Sequence, residues 1–353
     1  MTEAPWPKES PKNIIVRMPS WLGDLVMATP VLRSLRQHFP KANITAMCQG
    51  AVNQLLTHDP NINDIYSFKK PSGWIHRAKP LEIIETLKKG QYDLGVLLTN
   101  SYSSAYWFWA GNVENRLGYT KGLRDLLLNK AVKHPENAEL EHLVITYKAL
   151  VAPLGIPVSN DPPKLYISRA EQIHAHHLLK KYGIPYGRAI VVGINPGAAY
   201  GSAKCWLPER FKEVTKQLLK NPNVYVVYFG DNSGAALVND ICQNMPERVV
   251  NLAAKTNLRE LMALIESCSI FLTNDSGPMH IAAALNKPLL ALFGSTSDVK
   301  TGPYPKGIVI HKHVECSPCF KRVCPIDFRC MTSIGVDEVY SELEKMIKES
   351  DVA

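Results

Sequence analysis

Strand-like and helical segments alternate along this chain in two successive blocks, which restricts the fold more than any other feature. In the first block, the apolar runs NIIVRM, NITAMC and DLGVLLT have the length and β-branched content of strands. Leu25, Ala28, Leu32 and Leu35 recur at helical spacing within a helix predicted over 25–38. The second block repeats the pattern with the predicted strands AIVVGI, NVYVVYFG, SIFLTN and PLLALFG. Such alternation predicts an α/β protein made of two Rossmann-like domains facing a central cleft.

A segment rich in proline and polar residues separates the two blocks. The run IPVSNDPPKLY follows a helix predicted over 140–154 that ends at Gly155. We therefore predict a first domain over residues 1–160, a second over 161–335 and a C-terminal helix within 336–353. A chain of 353 residues that is 46% hydrophobic is large enough for two cores.

Composition narrows the cellular setting of the chain. No apolar run approaches the roughly 18 residues needed to span a bilayer, and the polar N-terminal sequence MTEAPWPKESPK is no secretory signal. These features predict a cytoplasmic protein, in which the eight cysteines would form no disulfide framework. Residues 69–133 hold eleven basic residues against five acidic ones and supply most of the net charge of +8. Such an excess suits nucleic acid, an anionic membrane surface or a phosphorylated substrate, or is a solvated face.

The turn after the first strand, PSWLGDLVMATP, contains one glycine, Gly23, followed at once by Asp24. Turns that bind a pyrophosphate at this position carry several glycines, and a carboxylate there would repel a phosphate. Because no G-x-G-x-x-G follows either leading strand, a dehydrogenase is disfavoured. Asp24 therefore either caps the following helix or accepts a proton during catalysis.

Two segments of the second block have features of anion binding. NPGAAYGSAKCW contains Gly197, Gly201 and Lys204, which suit a diphosphate, although an ordinary connection with a surface lysine explains the same residues. In TNDSGPMHIAAAL, Asp275 and Ser276 precede a helix whose free N–H groups would attract an anion, and simple N-capping is the alternative. A histidine such as His280 either contacts phosphate or packs in the interior.

Four cysteines near the C-terminus are spaced C-x2-C-x4-C-x5-C. Four thiolates at this spacing can converge on zinc, but the usual pair of C-x-x-C motifs is absent. Reduced, packed cysteines are the default, so we predict no metal ion at Cys316, Cys319, Cys324 and Cys330.

Five segments occur in an order and spacing that resemble the bacterial heptosyltransferases, glycosyltransferase family 9. They are PSWLGDLVMATP, NPGAAYGSAKCWLPERF, LTNDSGPMHIAAAL, LFGSTS and CSPCFKRVCPIDFRCM. The resemblance extends from about Asn13 to Met331 and implies the GT-B fold, with the acceptor on the first domain and the nucleotide sugar on the second. It also implies that the last helix packs back on the first domain. Cys205 departs from the pattern, because relatives more often carry a basic residue there.

The resemblance further implies an inverting transfer of L-glycero-D-manno-heptose from ADP-heptose to the first heptose of the lipopolysaccharide inner core, heptosyl-Kdo2–lipid A. The expected partners are these two substrates and the inner face of the inner membrane, as a peripheral contact, and no nucleic acid or cofactor. A relative acting on Kdo2–lipid A is the nearest alternative. A non-catalytic nucleotide-binding envelope protein is another, against which the retention of Asp24, Lys204 and Asp275 argues.

Within that resemblance the site residues take definite roles. Asp24 becomes the general base, and Lys204 stabilises the diphosphate as charge develops on the leaving ADP. Asp275 would contact the hydroxyls of the transferred sugar, and no D-x-D triplet signals a metal-bridged diphosphate. The residues predicted to bind substrate are Gly197, Ala198, Asp231, Thr256, Asp275, Ser276, Gly277, Pro278, Met279 and His280.

Overall fold

The computed structural model describes residues 6–69, 81–185 and 187–350, and the chain divides into two compact units. The first unit is Met1–Tyr166 and the second is Ile167–Ala353. The boundary lies six residues beyond the predicted one, at the end of the proline-containing segment.

The first unit contains a six-stranded parallel sheet in the order β3-β2-β1-β4-β5-β6. Its strands are β1 (Asn13–Arg17), β2 (Asn43–Gln49), β3 (Asp64–Phe68), β4 (Leu94–Leu97), β5 (Asn115–Tyr119) and β6 (Lys130–Val132). Its helices are α1 (Leu22–His38), α2 (Leu81–Gly90), α3 (Tyr102–Ala110) and α4 (Leu143–Ala149), with 3-10 turns at Gly50–Leu56, Gly122–Leu127 and Ala152–Leu154.

The second unit repeats this arrangement, with a parallel sheet in the order β12-β11-β10-β7-β8-β9. Its strands are β7 (Ile190–Asn195), β8 (Val224–Tyr228), β9 (Val249–Asn251), β10 (Ile270–Asn274), β11 (Leu289–Phe293) and β12 (Ile308–His311). Its helices are α5 (Arg169–Lys181), α6 (Pro208–Leu218), α7 (Ala235–Cys242), α8 (Leu258–Ser267), α9 (Gly277–Ala284), α10 (Asp298–Thr301), α11 (Arg329–Thr332) and α12 (Val336–Ser350), and Ser202–Lys204 is a 3-10 turn.

Both sheets have the strand order of the Rossmann fold, so the predicted pair of Rossmann-like units is confirmed. In each sheet, the first strand of the unit lies between the second and the fourth. The second and third strands extend the sheet to one side of it, and the fourth, fifth and sixth strands extend it to the other side. Open α/β sheets bind ligands at this switch point, outside the carboxyl ends of the strands. Ligand sites are therefore expected at the carboxyl ends of β1 and β4 and at those of β7 and β10.

The predicted helix over 140–154 is too long. Helix α4 covers only Leu143–Ala149 and is followed by the 3-10 turn, which contains Pro153 at its second position. Proline lacks the N–H that would continue α-helical hydrogen bonding, and Gly155 adopts a left-handed φ of 79° that ends the turn. Helix α1, in contrast, continues through Pro30 to His38.

The C-terminal helix packs inside the second unit. Val339 and Leu343 of α12 are fully buried and belong to the same apolar cluster as Phe211 of α6. The buried side of α12 therefore packs against the core of its own unit. Packing of α12 on the first domain, which the resemblance implies, stays a prediction.

An ion pair joins α5 to α8 in the second unit. Arg259 donates to both oxygens of the Glu171 carboxylate, at 2.7 and 2.8 Å. These hydrogen bonds lower the pKa of Glu171 to about 2. A carboxyl group whose pKa is lower in the folded chain stabilises the fold above its unfolded pKa of about 4.3, and this contribution is lost as the pH falls towards 2.

We expect Glu171→Gln to lower the free energy of unfolding by more at about pH 6 than at about pH 3, because at pH 3 the unfolded wild-type chain gains a proton at Glu171 that the folded chain largely does not bind. Urea unfolding of both proteins at the two pH values measures the difference. An equal loss at both pH values would show that Glu171 stabilises the helix pair by packing or capping alone.

Candidate active site

Two buried asparagines tie together the turns that follow β7 and β10. Asn195 donates to the carbonyl oxygen of Gly197 at 2.9 Å and to the Ser276 hydroxyl at 3.3 Å. Asn274 donates to the carbonyl oxygen of Pro196 at 2.7 Å and accepts from the backbone N–H of Trp206 at 3.0 Å. Because both strands end at the switch point, these hydrogen bonds fix the two predicted anion-binding turns against each other.

A salt bridge between Lys204 and Asp275 lies at this point. The Lys204 ammonium is 2.5 Å from an oxygen of the Asp275 carboxylate, and the Thr296 hydroxyl donates to the same oxygen at 2.6 Å. Both partners are largely withdrawn from solvent, with side-chain exposures of 13% for the lysine and 4% for the aspartate. The structure thus brings together two residues that were predicted independently from different segments.

The turn that carries Lys204 is held by the cysteine-containing segment. Gly201 has a φ of 155°, and a Cβ atom there would lie 2.3 Å from the carbonyl oxygen of Arg322, so this position requires glycine. That carbonyl accepts from the N–H of Ala203 at 3.0 Å. The Tyr200 ring lies below the Lys204 ammonium and the Arg322 guanidinium, at 4.8 and 5.3 Å from its centroid. Two cations therefore share one aromatic ring.

Helix α9 begins at Gly277, as predicted, but few of its first-turn N–H groups remain for a ligand. Ser276 is the N-cap residue, yet its side chain contacts Thr273 and Asn195 instead of capping the helix. Pro278 has no N–H, and the N–H of Met279 already donates to the carbonyl oxygen of Ser276 at 3.2 Å. Anion recognition here would rest on Gly277, the Ser276 hydroxyl and the helix dipole. His280 and Met279 are buried.

The remaining predicted donor-site residues lie on neighbouring loops with local contacts. The Asp231 carboxylate accepts from the Ser233 hydroxyl at 2.7 Å and from the N–H of Gly234 at 2.9 Å, as expected of a turn aspartate after β8. Thr256 immediately precedes Asn257, the N-cap of α8. Burial raises the pKa of the Cys205 thiol, which keeps it neutral, so it adds no charge next to Lys204 in the chain.

Asp24 follows β1 at the switch point of the first sheet and is the third residue of α1. The N-cap of that helix is Trp21, which makes no side-chain capping hydrogen bond. The Asp24 carboxylate accepts instead from the Tyr147 hydroxyl of α4 at 3.1 Å. Burial, reinforced by the charge of Asp24, raises the pKa of Tyr147 well above its usual value. Tyr147 therefore stays a donor, and the hydrogen bond favours the ionised form of Asp24.

Two residues of these sites were not predicted from the sequence. Thr296 was not predicted, although it lies in the LFGSTS segment. A threonine shortly after the predicted strand PLLALFG was the available signal, and the structure shows that it is buried and donates to Asp275. Tyr147 had no sequence signal, because 123 residues separate it from Asp24.

The four C-terminal cysteines are free thiols with different exposures: Cys330 is buried, Cys319 and Cys324 are partly buried, and Cys316 is exposed. Burial, together with the nearby Cys316, Cys324 and Cys319, raises the pKa of Cys330. Among the described residues, the ligand atoms close enough to share a metal ion belong instead to Asp298, His311 and His313.

The chain is similar to known proteins over most of its length. A sequence profile of glycosyltransferase family 9 (heptosyltransferase) matches residues 81–328. Lipopolysaccharide heptosyltransferase 2 of Salmonella typhimurium is 31% identical over 302 residues, which cover 82% of this chain and 85% of the relative. The structure of Escherichia coli ADP-heptose LPS heptosyltransferase II has a TM-score of 0.81 at 27% identity, covering 96% of this chain and 99% of the other. A glycosyltransferase family 9 protein of Veillonella parvula has the same fold, with a TM-score of 0.84 at 23% identity and 99% of each chain covered.

Proposed function

The chain belongs to glycosyltransferase family 9, the heptosyltransferases, and on this premise we propose that it transfers L-glycero-D-manno-heptose from ADP-heptose to the first heptose of heptosyl-Kdo2–lipid A. It is accordingly a glycosyltransferase with a GT-B fold. The observation that carries the proposal is the Lys204–Asp275–Thr296 arrangement at the switch point of the second sheet.

On the donor side, Lys204 is the cation for the diphosphate of ADP-heptose. Its ammonium is already oriented by Asp275, so little side-chain entropy is lost when a phosphate approaches. Positive charge fixed beside the leaving group stabilises the negative charge that develops on ADP as the glycosidic bond breaks. Asp275 keeps further lone pairs for a sugar hydroxyl, the Gly277 N–H and the Ser276 hydroxyl are additional donors, and Asp231 and Thr256 remain proposed contacts to adenosine.

On the acceptor side, Asp24 is the general base of an inverting displacement. An ionised carboxylate takes the proton of the attacking hydroxyl while the hydroxyl oxygen bonds to the anomeric carbon and ADP departs from the opposite face. The hydrogen bond from Tyr147 and the N-terminal position in α1 both favour the ionised state that this role requires.

An exposed apolar face of the first unit suits peripheral contact with the inner membrane. No helix within the described ranges has the length and hydrophobicity to span a bilayer. Aromatic side chains nevertheless reach solvent on α3, and leucines do so on the adjoining 3-10 turn, a combination that favours the bilayer interface. These residues, which we name the apolar face, are Tyr102, Tyr106, Trp109, Leu123 and Leu126.

Only some of the basic residues over 69–133 are available to contact the acceptor. Arg124 is buried and donates to the carbonyl oxygen of Tyr119, and Arg116 donates to those of Leu127 and Val113. Both therefore support the fold. Lys70, Arg77 and Lys79 lie outside the described residues. The exposed lysines of the described part are the candidates to contact acceptor phosphates, namely Lys69, Lys88, Lys89, Lys121 and Lys133.

We expect the double change Lys121→Ala and Lys133→Ala to raise the acceptor KM by about fivefold per lysine at low salt, since each lysine near an anionic surface contributes about 1 kcal/mol. The affinity for ADP should not change. The matched control removes two lysines from the second unit, Lys345→Ala and Lys348→Ala. Lower ADP affinity with an unchanged acceptor KM would show that these lysines act on the donor and not on the acceptor.

The acceptor is tested directly by supplying ADP-heptose with purified lipid acceptors that carry zero, one or two heptoses. The proposal requires transfer to the acceptor with one heptose. Transfer to the acceptor without heptose would instead favour the Kdo2–lipid A alternative. Binding of ADP-heptose without transfer to any of the three would favour a non-catalytic protein.

A further inference from the structure

A cluster of two histidines and a carboxylate lies at the carboxyl end of β12, apart from the residues assigned above. His311, the last residue of β12, has its Nδ1 atom 2.9 Å from one oxygen of Asp298, and the Nε2 atom of His313 is 3.5 Å from the other oxygen. The two imidazole rings are 4.0 Å apart, and one ligand atom from each of the three residues lies within 4.8 Å of the others.

The hydrogen bonds around His311 determine where its protons lie. The Ser317 hydroxyl donates to the carbonyl oxygen of Gly294, which can only accept. The one hydroxyl proton is thereby used, so the 2.8 Å contact between Ser317 and Nε2 of His311 requires a proton on Nε2. A neutral His311 would then direct the Nδ1 lone pair at the Asp298 carboxylate, and two acceptors at 2.9 Å repel. A metal cation bound to both atoms would replace this repulsion with two attractive contacts.

We propose that Asp298, His311 and His313 form a binding site for a divalent first-row transition metal such as Zn²⁺. Two imidazoles and one carboxylate are a ligand set typical of such ions, whereas Mg²⁺ and Ca²⁺ prefer oxygen ligands. Two atoms bound to one tetrahedral zinc at about 2.0–2.2 Å lie roughly 3.3–3.6 Å apart. The His313 contact of 3.5 Å lies in this range, and the 2.9 Å contact of His311 would have to lengthen slightly to admit the ion. Ser317 accepts the Nε2–H of His311 as the outer partner that orients a metal-binding imidazole.

Access and backbone conformation agree with a metal site. The side chain of His311 is only 2% exposed, whereas that of His313 is 63% exposed and gives the ion a route from solvent. His313 also has a left-handed φ of 43°, a conformation that is unfavourable for a non-glycine residue. Contact with a shared cation would offset that cost.

The proposed ion would join β12 to the loop that supports the donor site. Asp298 begins α10, two residues after Thr296, whose hydroxyl donates to Asp275. Ser317 lies within the segment that also contacts the Lys204 turn through Arg322. A metal ion would therefore stabilise both supports of the Lys204–Asp275 pair without contacting a substrate.

The test uses the full-length protein after removal of metals with a chelator. Zn²⁺ binding is measured by calorimetry, and Co²⁺ is then added because its absorption distinguishes imidazole and carboxylate ligands from thiolates. Mg²⁺ is the negative control. The variants are His313→Gln, whose exposed side chain is not needed for packing, and a fourfold Cys→Ser variant at positions 316, 319, 324 and 330. His177→Gln, an exposed histidine of α5, is the matched control.

The proposal requires one Zn²⁺ per chain, a Co²⁺ spectrum without thiolate bands, and an affinity that falls by at least about tenfold in His313→Gln while His177→Gln and the four-cysteine variant keep wild-type affinity. Every other pattern overturns it. In particular, loss of Zn²⁺ binding in the four-cysteine variant would assign the ion to the thiolates. No stoichiometric binding would show that the three residues form no metal site.

Discussion

Replacing Asp24 with asparagine is expected to slow heptose transfer by about a hundredfold to ten-thousandfold, the usual effect of losing a positioned general base. Asparagine has nearly the same size, and its carbonyl oxygen still accepts from Tyr147, so the contact between α1 and α4 survives. What is lost is the negative charge that takes the proton of the attacking hydroxyl. The turnover number at saturating acceptor measures the loss, and calorimetry checks that ADP-heptose affinity is unchanged.

The alternative role of Asp24 is structural, and it predicts a different result. The N-cap of α1 is Trp21, so the charge of Asp24 acts on the helix through its position in the first turn, which contributes about 0.3–1 kcal/mol. A purely structural residue would lose this much stability in Asp24→Asn and keep normal turnover. Turnover within about tenfold of wild type would therefore exclude the base, since general bases contribute more than that. Tyr147→Phe, which leaves the carboxylate in place, should reduce turnover less than Asp24→Asn does.

The sequence predicted the buried strands and the best-defined helices of both units correctly because their patterns are local. The spacing of Asn257 and Glu260 is that of a capping pair, which predicts a helix over 258–268 and marks the start of α8. Strands β1, β2, β7, β10 and β11 are short apolar runs. The helices α3, α5 and α7 and the edge strands β6, β9 and β12 were missed, whereas the edge strand β3 was predicted at Asp64–Phe68. Helix α5 buries only Ala175 and Leu179, so its apolar periodicity is weak, although the capping box at Ser168 and Glu171 was a usable signal.

Strand β5 was missed for a different reason. Its sequence, NRLGY, contains polar residues and an interior glycine, which usually weaken a strand. Gly118 leaves room for the buried Arg124 side chain, because a Cβ atom there would lie 2.9 Å from the guanidinium. That contact involves a 3-10 turn whose position no local pattern reveals. Arg124 itself is one of the eleven basic residues counted over 69–133. Because it is buried, a count along the sequence overestimates the positive charge that the surface of this segment presents.

The site could be predicted only as separate motifs. Lys204 and Asp275 were each chosen for the turn that carries them, but 71 residues separate them, so their salt bridge follows from the adjacency of β7 and β10 in the sheet. Asp24 was identified because a carboxylate is unexpected after the first strand of a Rossmann sheet. Its partner Tyr147, and the cluster at His311, depend on contacts between elements and left no pattern in the sequence.

Removal of the Lys204 ammonium is expected to have two separable effects. In Lys204→Ala, the buried carboxylate of Asp275 keeps the hydrogen bond from the Thr296 hydroxyl but loses its cation, and unpairing a buried ion costs up to about 3–5 kcal/mol of stability. ADP affinity should fall by about tenfold to a hundredfold, because a charge-assisted contact to phosphate is lost. Adenosine, which has no phosphate, should bind nearly as before. Calorimetry with both ligands compares the losses.

Asp275→Asn and the double variant separate the two effects. Asparagine at position 275 removes the buried charge, so the double variant should regain much of the stability that Lys204→Ala loses. It should not regain ADP affinity, because the cation that faces the diphosphate is still missing. If Lys204 instead acts only by holding Asp275 and the shape of the site, affinities for ADP and adenosine will fall together in Lys204→Ala and recover together in the double variant. That result would remove Lys204 from the phosphate-binding residues and leave Gly277 and Ser276 as the donors to the diphosphate.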